Sequence, residues 1–271
     1  MYFGALIIEL REDIPPSSLP GRLGGIVPYY SNGKPAWKNR SPPARLFSPV
    51  QGNIDVFNYA ANGLTPDMRV SGERDAGTSG LVLVNRVTND RRVMVPNHVF
   101  SDTDHVYHPT TAPQNLIGKV VQRYTDLDIA LVQLHEGIEY KNRSYFDAPV
   151  PKKLVTEQYR GIPGQEWFFV DSPFTGLAPL LWGGARVRIT EEPYHNLKYD
   201  KQYIFLSMGI NVGQPTEGVC GSPIVHDECV SGSESDGAVL GLFSRSGQNF
   251  AQNLFVSVLD RIVADGWEVE A

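Results

Sequence analysis

Three shortages in this sequence exclude whole classes of protein. Only two of its 271 residues are cysteine, Cys220 and Cys229. One pair cannot staple a small secreted scaffold, so a disulfide framework is excluded and a hydrophobic core must hold the chain together. A strand advances roughly 3.3 Å per residue, so nine positions of hairpin arm hold the two sulfurs apart, and both are read as free thiols. Positive charge is the second shortage. Twenty-four Lys and Arg against 30 Asp and Glu leave a net charge of -6. Nucleic-acid modules need a basic excess to neutralise phosphates, so no such partner is expected. Long apolar runs are the third. Ala5-Leu6-Ile7-Ile8 has no Lys or Arg before it and is followed by Glu9, Arg11, Glu12 and Asp13. That is far short of the roughly 20 residues of a membrane span and wrongly flanked for a secretory signal. A cytoplasmic protein with no membrane association is the expectation.

What the chain does have is 26 Gly, 20 Pro, 12 Tyr and 12 Phe within 41% hydrophobic content. Short β-branched and aromatic runs broken by turn residues point to an all-β protein. Residues 14–54 hold no Asp or Glu and are rich in Pro and Gly, so 1–53 reads as an irregular N-terminal extension. Strands are expected at Gly80–Asn85, Arg92–Val95, Ile117–Tyr124 and Ile129–Leu134, giving a first β unit over 54–136. A polar bridge covers 137–164. A second β unit over 165–271 contains Trp167–Val170, Ala185–Ile189, Tyr203–Leu206, Ser222–Val225 and Ala238–Phe243. Val256, Leu259, Ile262 and Val263 are spaced for one face of a terminal helix.

The chemistry concentrates in three segments. Gly218-Val219-Cys220-Gly221-Ser222-Pro223 opens a strand, and its glycines allow a tight turn that leaves the thiol exposed. The amides of Gly218 and Cys220 can converge there as donors to an oxyanion. A thiol needs a nearby base to become a nucleophile. Of the six histidines, His98 ends Val93-Met94-Val95-Pro96-Asn97-His98, where a strand meets a turn, and is the best placed. The others, His105, His108, His135, His195 and His226, read as loop or core residues. A carboxylate must orient the imidazole. Asp128, at the mouth of Ile129-Ala130-Leu131-Val132, is preferred over Asp126. Ser222, the rival nucleophile, sits two residues further into the strand with its side chain facing the wrong donors.

His98, Asp128 and Cys220 stand in the chain order His, Asp, nucleophile. On these segments the sequence resembles the chymotrypsin-like protease superfamily. Gly77–Leu83 resembles the strand before the histidine, Gly241–Ser246 the strand lining the specificity pocket, and Val256–Trp267 the terminal helix. The G-x-C-G signature is that of the chymotrypsin-like cysteine proteases of picornaviral type. The resemblance covers roughly 70–271. It implies two six-stranded β-barrels with the site in the cleft between them, and a cysteine endopeptidase acting on a peptide or protein substrate. It further implies that Gln214, Pro215 and Thr216 wall the pocket and that Ser244, Arg245 and Ser246 run beside the substrate. Val219 stands where trypsin-type zymogens carry an aspartate that pairs with a freed N-terminus, so the site is expected to form without N-terminal cleavage. Phe243 stands where the picornaviral enzymes place a histidine, so no glutamine preference is carried over. The histidines show no ligand spacing, and neither a metal nor another cofactor is expected. A non-catalytic binding protein of the same fold, or an esterase or acyltransferase on the same residues, are the other readings.

Overall fold

The computed structural model describes residues 6–9, 28–31, 63–144, 149–156, 166–172, 176–191, 197–207, 219–226, 237–246 and 253–270. β1 (Leu6–Glu9) and β2 (Pro28–Ser31) pair in parallel as a separate ribbon. Then come β3 (Arg69–Ser71), β4 (Ala76–Thr78), β5 (Val82–Asn85), β6 (Arg91–Pro96), β7 (His105–Tyr107), β8 (Leu116–Tyr124) and β9 (Ile129–Leu134). A second series follows: β10 (Lys153–Leu154), β11 (Trp167–Ser172), β12 (Gly176–Glu191), β13 (Leu197–Ser207), β14 (Pro223–His226), β15 (Ala238–Ser246) and β16 (Asn253–Ser257). The chain ends in α1 (Asp260–Ala264) and β17 (Trp267–Val269).

The two series form two curled sheets, and the protein is all-β with a short C-terminal helix. The first sheet runs β17-β5-β6-β9-β8-β7-β3-β4. The second runs β10-β15-β14-β11-β12-β13-β16, and β15 also pairs with β16, which closes the ring. β12 and β13 are the long arms, paired from Leu180↔Ser207 to Glu191↔Leu197 with a bulge between Trp182 and Gly184.

The strand period explains how the two sheets come to face each other. In β6, Val93 and Val95 enter the core inside the first sheet, while Met94 enters a second core shared with the other sheet. In β9, Ala130 and Val132 point inward, and Ile129 and Leu131 point across. β15 also faces both cores, with Leu240 and Phe243 inside the second sheet and Val239 and Leu242 in the shared core, but a bulge opposite Ile224 and Val225 breaks its alternation. Side chains alternate faces, so a strand buried on both sides reads as a continuous apolar run. Those runs therefore mark the strands between the two units.

The terminal helix is shorter than its apolar spacing predicts. Val256 belongs to β16, and Trp267 begins β17, which returns to the first sheet by pairing with β5. Leu259 and Ile262 do pack into the shared core, alongside Trp267 and Val269. The helical period holds over one turn, but edge pairing with β5 captures the residues beyond it. Among the described residues, no helix is long and apolar enough to cross a membrane.

Candidate active site

Each site segment lies at the end of a strand that borders the shared core. β6 ends at Pro96, and a single 3-10 turn, Asn97–Phe100, carries His98 out of it while burying Val99 and Phe100. Proline at the strand end has no N–H to continue the ladder. The β8–β9 turn delivers Asp128 with φ 55°, a left-handed conformation that aspartate tolerates better than most residues. Asn97 N–H donates to the Asp128 carbonyl at 3.0 Å, stitching this turn to the histidine segment.

Asp128 holds His98 twice. Its Oδ1 accepts the His98 main-chain N–H at 2.9 Å, and its Oδ2 lies 2.7 Å from Nδ1 of the ring. A carboxylate at Nδ1 makes that nitrogen the donor and leaves Nε2 facing away from it. The Cys220 thiol lies close enough to the imidazole to influence its charge. Both partners favour the charged ring, Asp128 more strongly, and His98 is pushed up to about 10 against the opposing effect of partial burial. Asp126, the alternative carboxylate, pairs instead with Arg261 of α1 at 2.9 Å.

Cys220 precedes β14 in a turn that fits against the first sheet. Its carbonyl accepts the Thr78 N–H at 2.7 Å, and Gly221 N–H donates to Phe243 O at 2.8 Å. Gly221 has φ 104°, and a Cβ there would lie 2.0 Å from the Thr78 carbonyl. Only glycine fits this position, which accounts for half of the flanking-glycine signal. The other flanking glycine, Gly218, lies outside the described residues, as do Gln214, Pro215, Thr216, His195 and Cys229. Cys220 itself is partly exposed and free, and its thiol reaches the Ser244 carbonyl at 3.4 Å. Arg245 and Ser246 continue β15 in register with Phe255 and Leu254. Ser222 is fully buried, close enough to the Asp67 carboxyl to influence its charge.

Thus the fold joins His98 to Asp128 and brings Cys220, distant in sequence, near enough to the imidazole to influence its charge. No protein-family model matches the chain, and no curated protein sequence matches it either. Solved structures do. A glutamic-acid-specific serine protease, described as using a histidine triad in substrate binding, superposes with a TM-score of 0.53 at 10% identity, covering 76% of this chain and all of its own. Thermobifida fusca Protease A gives 0.52 at 10% identity, covering 77% and 98%. Nocardiopsis protease gives 0.51 at 11% identity, covering 77% and 99%.

The fold is chymotrypsin-like.

At such identities the similarity establishes architecture alone. All three neighbours are proteases by name and the first is a serine protease, whereas the group near His98 in this chain is the Cys220 thiol. Among the described residues no group of three or more His, Cys, Asp or Glu side chains is placed to hold a metal ion. Two residues that border the site went unnoticed in the sequence pattern. Asn97 ties the histidine turn to Asp128, and Arg123 bonds Asn97. A lone polar residue in a strand carries no sequence signal for such a role. Asn97, next to His98, could have been suspected from its place at a strand end.

Proposed function

We propose that this chain is a cysteine endopeptidase that cleaves peptide bonds through Cys220, His98 and Asp128. The observation that carries the reading is the Asp128 carboxylate 2.7 Å from Nδ1 of His98, with the Cys220 thiol near enough to favour the charged ring as well. His98 takes the proton of Cys220, and the thiolate attacks the peptide carbonyl carbon, forming the C–S bond. The Gly218 and Cys220 amides donate to the resulting oxyanion. The C–N bond then breaks, and His98 returns the proton to the departing amine. Water attacks the thioester, gives a proton to His98, and releases the acid as Cys220 regains its thiol. Asp128 holds the ring in orientation throughout and stabilises its charged form. Gln214, Pro215 and Thr216 would wall the side-chain pocket, with Ser244, Arg245 and Ser246 beside the substrate backbone. A reducing, cytoplasmic setting would keep the thiol available.

The deciding experiment is the alkylation rate of Cys220 against pH in a Cys229→Ser background, with and without His98→Ala, followed by a peptide-library digest. The expected result is fast alkylation below pH 7, lost in His98→Ala, and cleavage abolished by Cys220→Ala. A thiol that titrates like free cysteine near about 8.5 in both backgrounds would remove the reading. Turnover of small esters without peptide cleavage would reassign the same residues to ester hydrolysis or acyl transfer. Peptide binding without turnover would make the chain a non-catalytic member of the fold.

A further inference from the structure

The turn that presents His98 has little of its own to hold it. It is one 3-10 turn of four residues. Such a turn has poorer hydrogen-bond geometry than an α-helix and too few residues to be stable alone. Its N-cap is Pro96, which offers no side-chain cap, and no acidic residue lies in its first turn. Val99 and Phe100 anchor its far side in the core, but contacts of that kind set depth better than rotation. The direction of the imidazole must be fixed by polar contacts from outside the turn.

Asp128 supplies one set of these contacts. Arg123 of β8 supplies the other. Arg123 sits opposite Ala130, two residues beyond Asp128 on the neighbouring strand. Its Nη1 donates to Asn97 Oδ1 at 2.9 Å. Its Nη2 donates to Thr103 O at 3.0 Å and to Asp104 Oδ1 at 2.8 Å. One planar guanidinium therefore grips both ends of segment 97–104, which contains His98. Asn97 is held twice, its side chain by Arg123 and its N–H by the Asp128 carbonyl. The Arg123 side chain is 28% exposed, so these charge-assisted bonds are partly shielded from water. Lysine, a single point charge without the fork, cannot reproduce the grip at both ends.

We infer that Arg123 is a positioning residue for His98, clamping segment 97–104 so that the imidazole stays between Asp128 and Cys220. This rests on the proposed triad for its consequence in catalysis. The charged and titratable groups that face the imidazole are Asp128 and Cys220. Asp104 faces Arg123, and Asp102 of the same segment pairs with the exposed Arg74.

The test compares Arg123→Met, Arg123→Lys and Asn97→Ala with the parent protein, all in the Cys229→Ser background. The readouts are the His98 imidazole titration by NMR, the alkylation rate of Cys220 and, where peptide is cut, kcat and KM. Loss of the clamp should slow alkylation and lower kcat by about ten- to a hundredfold with KM little changed, since misplacing a reacting group by about 1 Å costs up to about 10²-fold. His98 should lose its proton at lower pH, moving from about 10 toward the ordinary 6.5. That direction separates geometry from charge. Deleting a cation would by Coulomb's law alone hold the imidazole proton more tightly, raising its titration point. Asn97→Ala keeps the cation and removes one of its acceptors, so it should shift His98 the same way, and the double variant should be less than additive. Arg123→Lys should recover part of the loss. A His98 titration that is unchanged or raised in both Arg123→Met and Asn97→Ala, with only the melting temperature reduced, would overturn the inference. Shifted titration and alkylation in a protein whose parent form cuts no peptide would sustain the clamp and remove the peptidase reading.

Discussion

Asp67 and Asp128 are the same residue in the same backbone region, with φ of 72° and 55°, yet the protein surrounds them differently. Asp128 sits in a turn whose neighbours present N–H groups, and both of its carboxylate oxygens are engaged by His98. Asp67 is 3% exposed and faces a second buried carboxyl, Asp171 of the other sheet. Burial first, and Asp171 second, push the Asp67 carboxyl well above the usual carboxylate range, while the Ser222 hydroxyl acts in the opposite direction. Tyr140 is buried close by, donates to Gly80 O at 2.6 Å, and is itself raised mainly by burial. A left-handed aspartate becomes an orienting anion only where donors converge on it. Without them, the same geometry yields a carboxyl that burial pushes well above the usual carboxylate range.

Asp128→Asn tests the first half of this contrast and should have the largest effect. Peptide turnover should fall by about 10³–10⁴-fold, because an amide at Nδ1 no longer enforces the productive tautomer. The raised His98 value means that its stabilising contribution is fully present below about pH 6.5 and is lost as pH climbs through about 10. Denaturant midpoints of the parent and Asp128→Asn proteins should therefore differ at pH 6 and converge above pH 10. Equal turnover in the two proteins would dissolve the contrast.

Gly221→Ala probes the turn that borders both Asp67 and Cys220. Forcing alanine into φ 104° costs about 1–3 kcal/mol in backbone conformation, and the clash with Thr78 O adds to it. Urea unfolding should show the loss, and Cys220 alkylation should slow.

Asp67→Asn tests the second half. The raised folded value means that the parent protein's stabilising contribution from Asp67 is complete below the ordinary carboxylate value and is lost as pH rises through the folded one. The asparagine variant lacks this loss, so it should gain on the parent as pH rises from 4 to 8. The gain is about 1.4 kcal/mol for every pH unit of that range lying between the ordinary and the folded value. Turnover should change little. Parallel pH dependence of the urea midpoints in the two proteins would show that Asp67 ionises like an ordinary carboxylate and would erase the contrast with Asp128. Ser222→Ala is the smallest change. It should cost no more than about 1 kcal/mol and leave cleavage intact, and lost cleavage would make Ser222 the nucleophile.

Much of the frame was legible in the chain. The expected strand at Ile129–Leu134 coincides with β9, and Ile117–Tyr124 lies within β8. Apolar runs bounded by turn residues carry that information locally. The choice between Asp126 and Asp128 was not local, because both precede the same strand. It was resolved by what each turn position faces, Arg261 of α1 for one and His98 for the other. The terminal helix misled for a similar reason. Val256 fits a helical face with Leu259, Ile262 and Val263, and the resemblance carries the helix on to Trp267, only until the pairing partners β13, β15 and β5 are known.

By itself the sequence determined the all-β character, the strands with two apolar faces, and the order His98, Asp128, Cys220. These follow from period-two patterning and from residue types that tolerate few positions. Tertiary structure decided which apolar face entered which core, the closure of β15 on β16, the return of β17 to the first sheet, and the grip of Arg123 on Asn97. Alternation states that two faces are buried, but not against what. Pairing between residues 180 positions apart, as from Asn85 to Asp265, exists only once the chain has closed on itself.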